Sequence, residues 1–145
     1  MSEYGTIVTH PGQEFQREHW APLATPFSNA TTITGTTLLT VWDPAAGKKF
    51  VLKGFSLTAV VRTDFAASNP VVLQWFDDST AAFIADAGMA FESATPAGRY
   101  FSTGYVWLRE GVPSAAADRV LKLGFSETIS TGVLSVAGVV LGEER

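Results

Sequence analysis

The chain has 145 residues, about the size of one domain, with a net charge of −4 and no cysteine. Disulfide frameworks and thiolate zinc sites are therefore excluded. Its ten cations are spread along the chain with only Lys48 and Lys49 adjacent, which argues against a nucleic-acid groove. Only 17% of residues are charged, against about 25% in ordinary soluble domains. Either much of the surface is covered by other chains, or Thr and Ser hydroxyls supply the polarity.

The first thirty residues read differently from the rest. They contain Pro11, Pro22 and Pro26, which prevent any long helix, although Gln13 to Trp20 has room for one or two turns. Tyr4, Phe15, Trp20 and Phe27 are spaced along this stretch. Tails that stay disordered are poor in aromatics. The segment 1–31 is therefore read as an extended arm with apolar pegs, reaching up to roughly 100 Å at full stretch. The alternative is an arm that folds back on its own body. MSEYGTIVTH lacks a basic region followed by an apolar run, so no secretory signal is expected. The longest stretches without Asp, Glu, Lys or Arg are broken by Thr, Pro and Gly. No membrane span is expected.

Residues 32–145 read as strands between turn clusters. Thr36 to Asp43 is the first. Lys49 to Arg62 is the longest and carries apolar residues on both faces, as a central strand does. Gly54 in its middle predicts a bulge or bend. Pro70 to Phe76 follows, then a turn at Asp77 to Thr80, where Asp and Ser cap local amides or, less simply, bind Ca²⁺. Ala81 to Ala85 is a short strand, and Met89 to Phe91 reads as a brief one inside a loop. Arg99 to Arg109, with a bulge at Gly104, precedes a loop from Glu110 to Asp118. Arg119 to Ser126 alternates, with Leu121, Leu123 and Phe125 inward. Gly132 to Leu141 closes the body. Short strands without a long helix predict an all-β fold, a jelly-roll-like sandwich or barrel with an extended N-terminal arm.

Catalytic chemistry is hard to assemble. His10 and His19 both lie in the arm, so no histidine in the body activates a serine, and the pair lacks metal-ligand spacing. There is no phosphate-cradling glycine motif. Asp86, Glu92 and Asp118 fall in loops, with nothing in the sequence that brings them together. Catalytic residues, a metal and a cofactor are all expected to be absent, and the chain is not expected to be an enzyme. Glu143 and Glu144 read as a solvated terminus, or as intersubunit ion-pair partners. Trp75 and Trp107 read as core. Tyr100, Phe101, Tyr105 and Trp107 are alternatively a sugar groove.

The run Ala46-Gly47-Lys48-Lys49-Phe50 through Gly54-Phe55-Ser56-Leu57, with the closing Gly132-Val133-Leu134-Ser135-Val136-Ala137-Gly138-Val139-Val140-Leu141-Gly142-Glu143-Glu144, resembles small β-proteins of tailed-bacteriophage virions. There a Gly-Lys-Lys turn introduces a long strand, and the last strand ends on a similar Gly-Glu-Glu finish. An arm ahead of such a body resembles a capsid decoration (cement) protein. The resemblance implies a structural protein on the capsid surface of the virion. Its expected partners are the major capsid protein, gripped through Tyr4, Phe15, Trp20 and Phe27, and further copies of itself in a trimer. No nucleic-acid or membrane partner is expected. The alternative is a tail or fibre-tip module that binds a receptor or carbohydrate.

Overall fold

In the computed structural model, the residues described are 38–77 and 83–145, together with the backbone of two short strands, Leu23–Phe27 and Thr32–Ile33. The strands are β1 (Leu23–Phe27), β2 (Thr32–Ile33), β3 (Leu39–Trp42), β4 (Phe50–Ala66), β5 (Val71–Phe76), β6 (Phe83–Phe91), β7 (Tyr100–Pro113), β8 (Leu121–Phe125) and β9 (Thr131–Glu144). No helix occurs among the described residues.

β4 runs through the interior of one sheet, between β9 and β7. Phe50, Val51 and Leu52 are all buried, whereas from Gly54 onward only the face toward the second sheet, Phe55, Leu57, Ala59 and Val61, is buried, and Ser56, Thr58 and Val60 lie half-buried on the outer face. The pairing of β4 with both neighbours slips between Leu52 and Gly54, at the glycine that predicted a bend. A Cβ there would lie 2.9 Å from the Val106 carbonyl oxygen and 3.3 Å from the Trp107 ring, so only glycine fits.

The first sheet has the order β1-β9-β4-β7, with β2 also on β9. The second has the order β3-β8-β5-β6. Every pairing is antiparallel. From β2 onward the chain passes repeatedly from one sheet to the other, and β5–β6 is the one pair of consecutive strands that are neighbours within a sheet. Two interleaved four-strand orders of this kind define a jelly-roll sandwich, so the all-β expectation holds and the barrel alternative gives way to two sheets.

Several strands exceed their expected bounds. β4 continues to Ala66 and β7 to Pro113. The expected fragments at Ala81 to Ala85 and Met89 to Phe91 form one strand, β6. Its register to β5 slips between Asp86 and Met89, and Gly88 there has φ +72°, so a bulge resembled a loop in sequence. The segment read as arm contributes β1, whose register runs from Leu23 opposite Gly142 to Phe27 opposite Gly138.

The core lies between the sheets. Near its middle, Phe55 from the first sheet meets Trp75 from the second edge-on, with ring centroids 5.2 Å apart. At one end Phe65 and Phe101 of the first sheet enclose Phe91 and Phe125 of the second, with Phe91 4.7 Å from Phe101 and Phe65 5.5 Å from Phe125. At the other end Trp42 packs on Phe50 at 5.8 Å. Leu121, Leu123 and Phe125 point inward as their alternation predicts.

The C-terminus corrects the expectation of a solvated or intersubunit tail. Glu144 accepts hydrogen bonds from Trp42 Nε1 at 3.1 Å and from the Ala45 amide at 3.2 Å. Glu143 Oε2 lies 3.1 Å from Lys53 Nζ and also pairs with Arg145. Arg145 and Lys49 exchange backbone hydrogen bonds at 2.7 and 2.8 Å. The terminal charges therefore tie β9 to β3 and β4 of their own body. Burial pushes the Glu143 carboxyl up, but the hydrogen bonds and charges of Arg145 and Lys53 outweigh it and hold the pKa below the usual 4.5. A lowered folded pKa stabilises above the unfolded value, and that contribution disappears as pH falls through the folded one. Thermal midpoints from pH 7 to 3 are expected to fall less steeply in Glu143→Gln, which starts about 0.5–1 kcal/mol less stable at neutral pH. Parallel curves would refute the assignment.

Candidate interaction surface

Among the described strands β7 lies at an edge of the first sheet, and its outward residues form the most distinctive surface on the body. Tyr100, Tyr105 and Trp107 are 63%, 51% and 54% exposed. Trp107 thus corrects the expectation of a core residue. Alternation fails as a guide here because of the bulge at Gly104. Gly104 pairs with Leu57 and Ser102 with Thr58, which leaves Thr103 extra. Gly104 has φ +64°, a conformation that suits glycine. Thr103 turns inward instead, and its Oγ1 accepts a 3.0 Å bond from the Leu57 amide. Beyond the bulge, Tyr105 and Trp107 face out together with Tyr100.

The registers set what lies beside them. Trp107 is opposite Gly54, Tyr105 opposite Ser56, Ser102 opposite Thr58 and Tyr100 opposite Val60. One strand further, Val139 and Ala137 continue the same face. Tyr105 and Trp107 stand 5.1 Å apart with planes tilted by 55°. Further across the same sheet, between β4 and β9, a shallow depression of about 80 Å³ is lined by Thr58, Val60, Arg62, Ser135 and Ala137, among others. The face is flat, aromatic on one side, and carries small apolar and hydroxyl side chains on the other.

Cations bracket this face. Arg62 donates from Nε to Ser135 Oγ at 3.1 Å. Arg109 is exposed two residues past Trp107, with Glu110 beside it. Arg99, by contrast, lies on the opposite side of the sheet, its guanidinium carbon 5.7 Å from the centre of the Phe101 ring, which packs on Phe91. The backbone edge itself is poorly suited to strand addition. Besides the bulge at Thr103, β7 sets Leu108 to Gly111 against Lys53 alone before pairing resumes at Val112 and Leu52. Irregularities of this kind blunt an edge. β7 therefore presents side chains rather than backbone.

The carboxylates considered for chemistry do not converge. Asp77 is buried; its Oδ2 accepts a 2.8 Å bond from the Ala115 amide, while Oδ1 has no partner. Asp77 thus secures a distant loop rather than capping a local turn. Asp78, Ser79 and Thr80 lie outside the described residues. Asp118 accepts from the Gly47 amide at 2.6 Å, and Asp86 accepts from Gln74 at 3.0 Å. No group of three or more potential metal ligands occurs among the described residues. Tyr4, Phe15, Trp20, His10 and His19 lie outside the described residues. Phe27 is placed by its backbone at the end of β1.

No protein-family model matches the sequence, and no curated protein does. Among solved structures, the chain is similar to one in the capsid asymmetric unit of cyanophage Pam1. The identity is 17% over 81% of each chain, with a TM-score of 0.34. A likeness of that size carries no argument about function.

Proposed function

We propose that this is a structural protein of a tailed-bacteriophage virion, a decoration protein that binds the outside of the head. The observation that carries the reading is the surface of β7. A rigid sandwich places two tyrosines and a tryptophan in solvent with arginines around them, and Tyr, Trp and Arg are the residues enriched where proteins bind proteins. The arm supplies the second element. Tyr4, Phe15 and Trp20 precede β1, and Phe27 ends it. In this reading the arm lies across neighbouring major capsid protein subunits with its aromatics in their pockets. The bodies associate with one another as a homotrimer. Several arms per oligomer then act together, so weak single contacts become strong through effective concentration. The shell resists internal pressure because each unit must detach before capsomers separate. The chain is not an enzyme, and its place is the capsid surface.

The test is co-sedimentation of the purified protein with undecorated heads and with tails, followed by imaging of the decorated particles. Saturable binding at regular positions on the head is expected. Binding to tail tips alone would sink the decoration reading. The paired rings of Tyr105 and Trp107 favour one other function, a receptor- or carbohydrate-binding tip, because stacked aromatics beside hydroxyls also suit sugar faces. Binding on a glycan array that Trp107→Ser abolishes, with no binding to heads, is the result that would select it.

A further inference from the structure

We infer that the Tyr100, Tyr105 and Trp107 face docks onto the same face of a second copy of this chain, about a two-fold axis that runs along β4. The inference goes beyond the virion reading and uses none of it. Where bodies also form trimers through other surfaces, this contact joins one trimer to the next.

Shape points to the occupant. Across β7, β4 and β9 the outward side chains change from large to small. Tyr100, Tyr105 and Trp107 form a ridge along β7, each at least half exposed. Ser56 and Thr58 follow on β4, then Ala137 and Val139 on β9, all half-buried. The depression of about 80 Å³ lies in this lower ground, around Val60 and Ser135. Ridge and depression face the same way. In a ring of three copies each is turned by a third of a circle, so a flat face never meets itself there. Only a half-turn about an axis in the plane of the face brings it against itself. With that axis along β4, β7 of each copy lies over β9 of the other, and the levels along the strands are kept. Tyr100 stands at the level of Val60 and Ser135, so it enters the other copy's depression. Tyr105 stands at the level of Ser56 and Val139 and covers the second of them. Two ridges fill two troughs, and the outer faces stack about 10 Å apart, as the sheets of a sandwich do.

Charge agrees with shape. From Gly54 to Val60 no outward residue of β4, nor any at the same levels on β7 and β9, is charged, so the centre of the contact buries no ion. At one end Arg62 leans toward β9, where its Nε bonds Ser135 Oγ. Asp64 leans the other way, its Oδ1 accepting from the Ala97 amide ahead of β7. The half-turn therefore directs each Arg62 toward the other copy's Asp64. At the far end Lys53 is paired with Glu143, and Arg109 adjoins Glu110. Six half-exposed rings and the surface they cover come to roughly 1,200 Å², the lower end of stable specific interfaces. Pairing also hides an aromatic patch that would otherwise bind without selection.

The chain has no cysteine, so one added thiol reports the axis. Ser56 lies on it. Full-length Ser56→Cys is expected to link to its own copy on mild oxidation or with a short bis-maleimide. Ser102→Cys on β7 lies roughly 10 Å or more from its own copy across the axis and is expected to link poorly alone. Mixed with Ala137→Cys, the residue at its level on β9, it is expected to link well. Sedimentation equilibrium of the unaltered full chain is expected to show reversible doubling of mass. Tyr100→Asp with Tyr105→Asp, both at exposed positions, is expected to raise the dissociation constant at least about tenfold while the circular dichroism spectrum is kept. Ser102→Cys linking to itself in preference to Ser56→Cys would set β7 over β7 and overturn the arrangement. No linkage at Ser56→Cys, or association indifferent to the tyrosine changes, would overturn the inference. The two readings fail separately: a chain that pairs but never binds heads sinks only the virion reading, and one that binds heads without pairing sinks only this inference.

Discussion

Removal of Met1 to Pro22 is expected to leave a folded, soluble body that no longer binds heads, whereas removal of Met1 to Ala30 is expected to damage the body itself. The difference lies in β1. Its residues Leu23–Phe27 pair along β9 from Gly142 to Gly138 and form one edge of the first sheet. The shorter deletion keeps that strand. The longer one strips it and bares much of β9, a strand of 14 residues. A long exposed apolar edge is a template for aggregation. Circular dichroism, a thermal melt and head co-sedimentation on both truncations decide the matter. The shorter form is expected to melt within a few degrees of the full chain and to lose binding at least about tenfold, since multivalent attachment is lost with the arm. If it still decorates heads at full occupancy, the arm is not the attachment.

Trp75→Ala is expected to cost about 3–5 kcal/mol, the largest loss from any single change at the sheet interface. Trp75 is fully buried, edge-on to Phe55 across the two sheets, and the sandwich has no slack there: Leu73, Leu121 and Leu123 are buried as well. A cavity at that point separates the layers that define the fold. Trp75→Phe should behave very differently. The indole Nε1 is buried without a hydrogen-bond partner, so the wild type already bears a desolvation cost that phenylalanine removes. The lost ring volume and the removed cost oppose each other, and the net change is expected to be within about 1.5 kcal/mol. Urea denaturation with a common m-value measures both. Equal losses for Ala and Phe would show that the indole nitrogen, not the packing, is what matters at this position.

Much of the body was legible because strand physics is local. Leu121, Leu123 and Phe125 announced their inward face by alternation, Lys49 to Arg62 its central place by being apolar on both sides, and Gly54 its bend. The errors share one cause, a bulge or a partner distant in sequence. Membership of a strand makes Trp107 look like core, and the bulge expected at Gly104 is present, but only the pairing of β7 with β4 shows that it turns Tyr105 and Trp107 outward. β6 divides at Gly88 in sequence because the bulge there resembles a loop. Glu143 and Glu144 looked solvated because their partners Lys53, Trp42 and Ala45 are some ninety to a hundred residues away in the chain. Leu23–Phe27 looked like arm because Pro26 discourages a strand; it lies on a sheet edge, where proline is tolerated.

Composition and periodicity by themselves determined an all-β body, the rough places of its strands and an aromatic N-terminal segment of different character. These follow from side-chain alternation and backbone preference, which act within a few residues. Tertiary structure alone decided that the sheets interleave as a jelly roll, that β7 turns three rings outward, and that the chain's acidic end is locked to β3 and β4. Those features depend on which strands pair and where a register slips. Pairing joins residues far apart in the chain, and no local pattern encodes it.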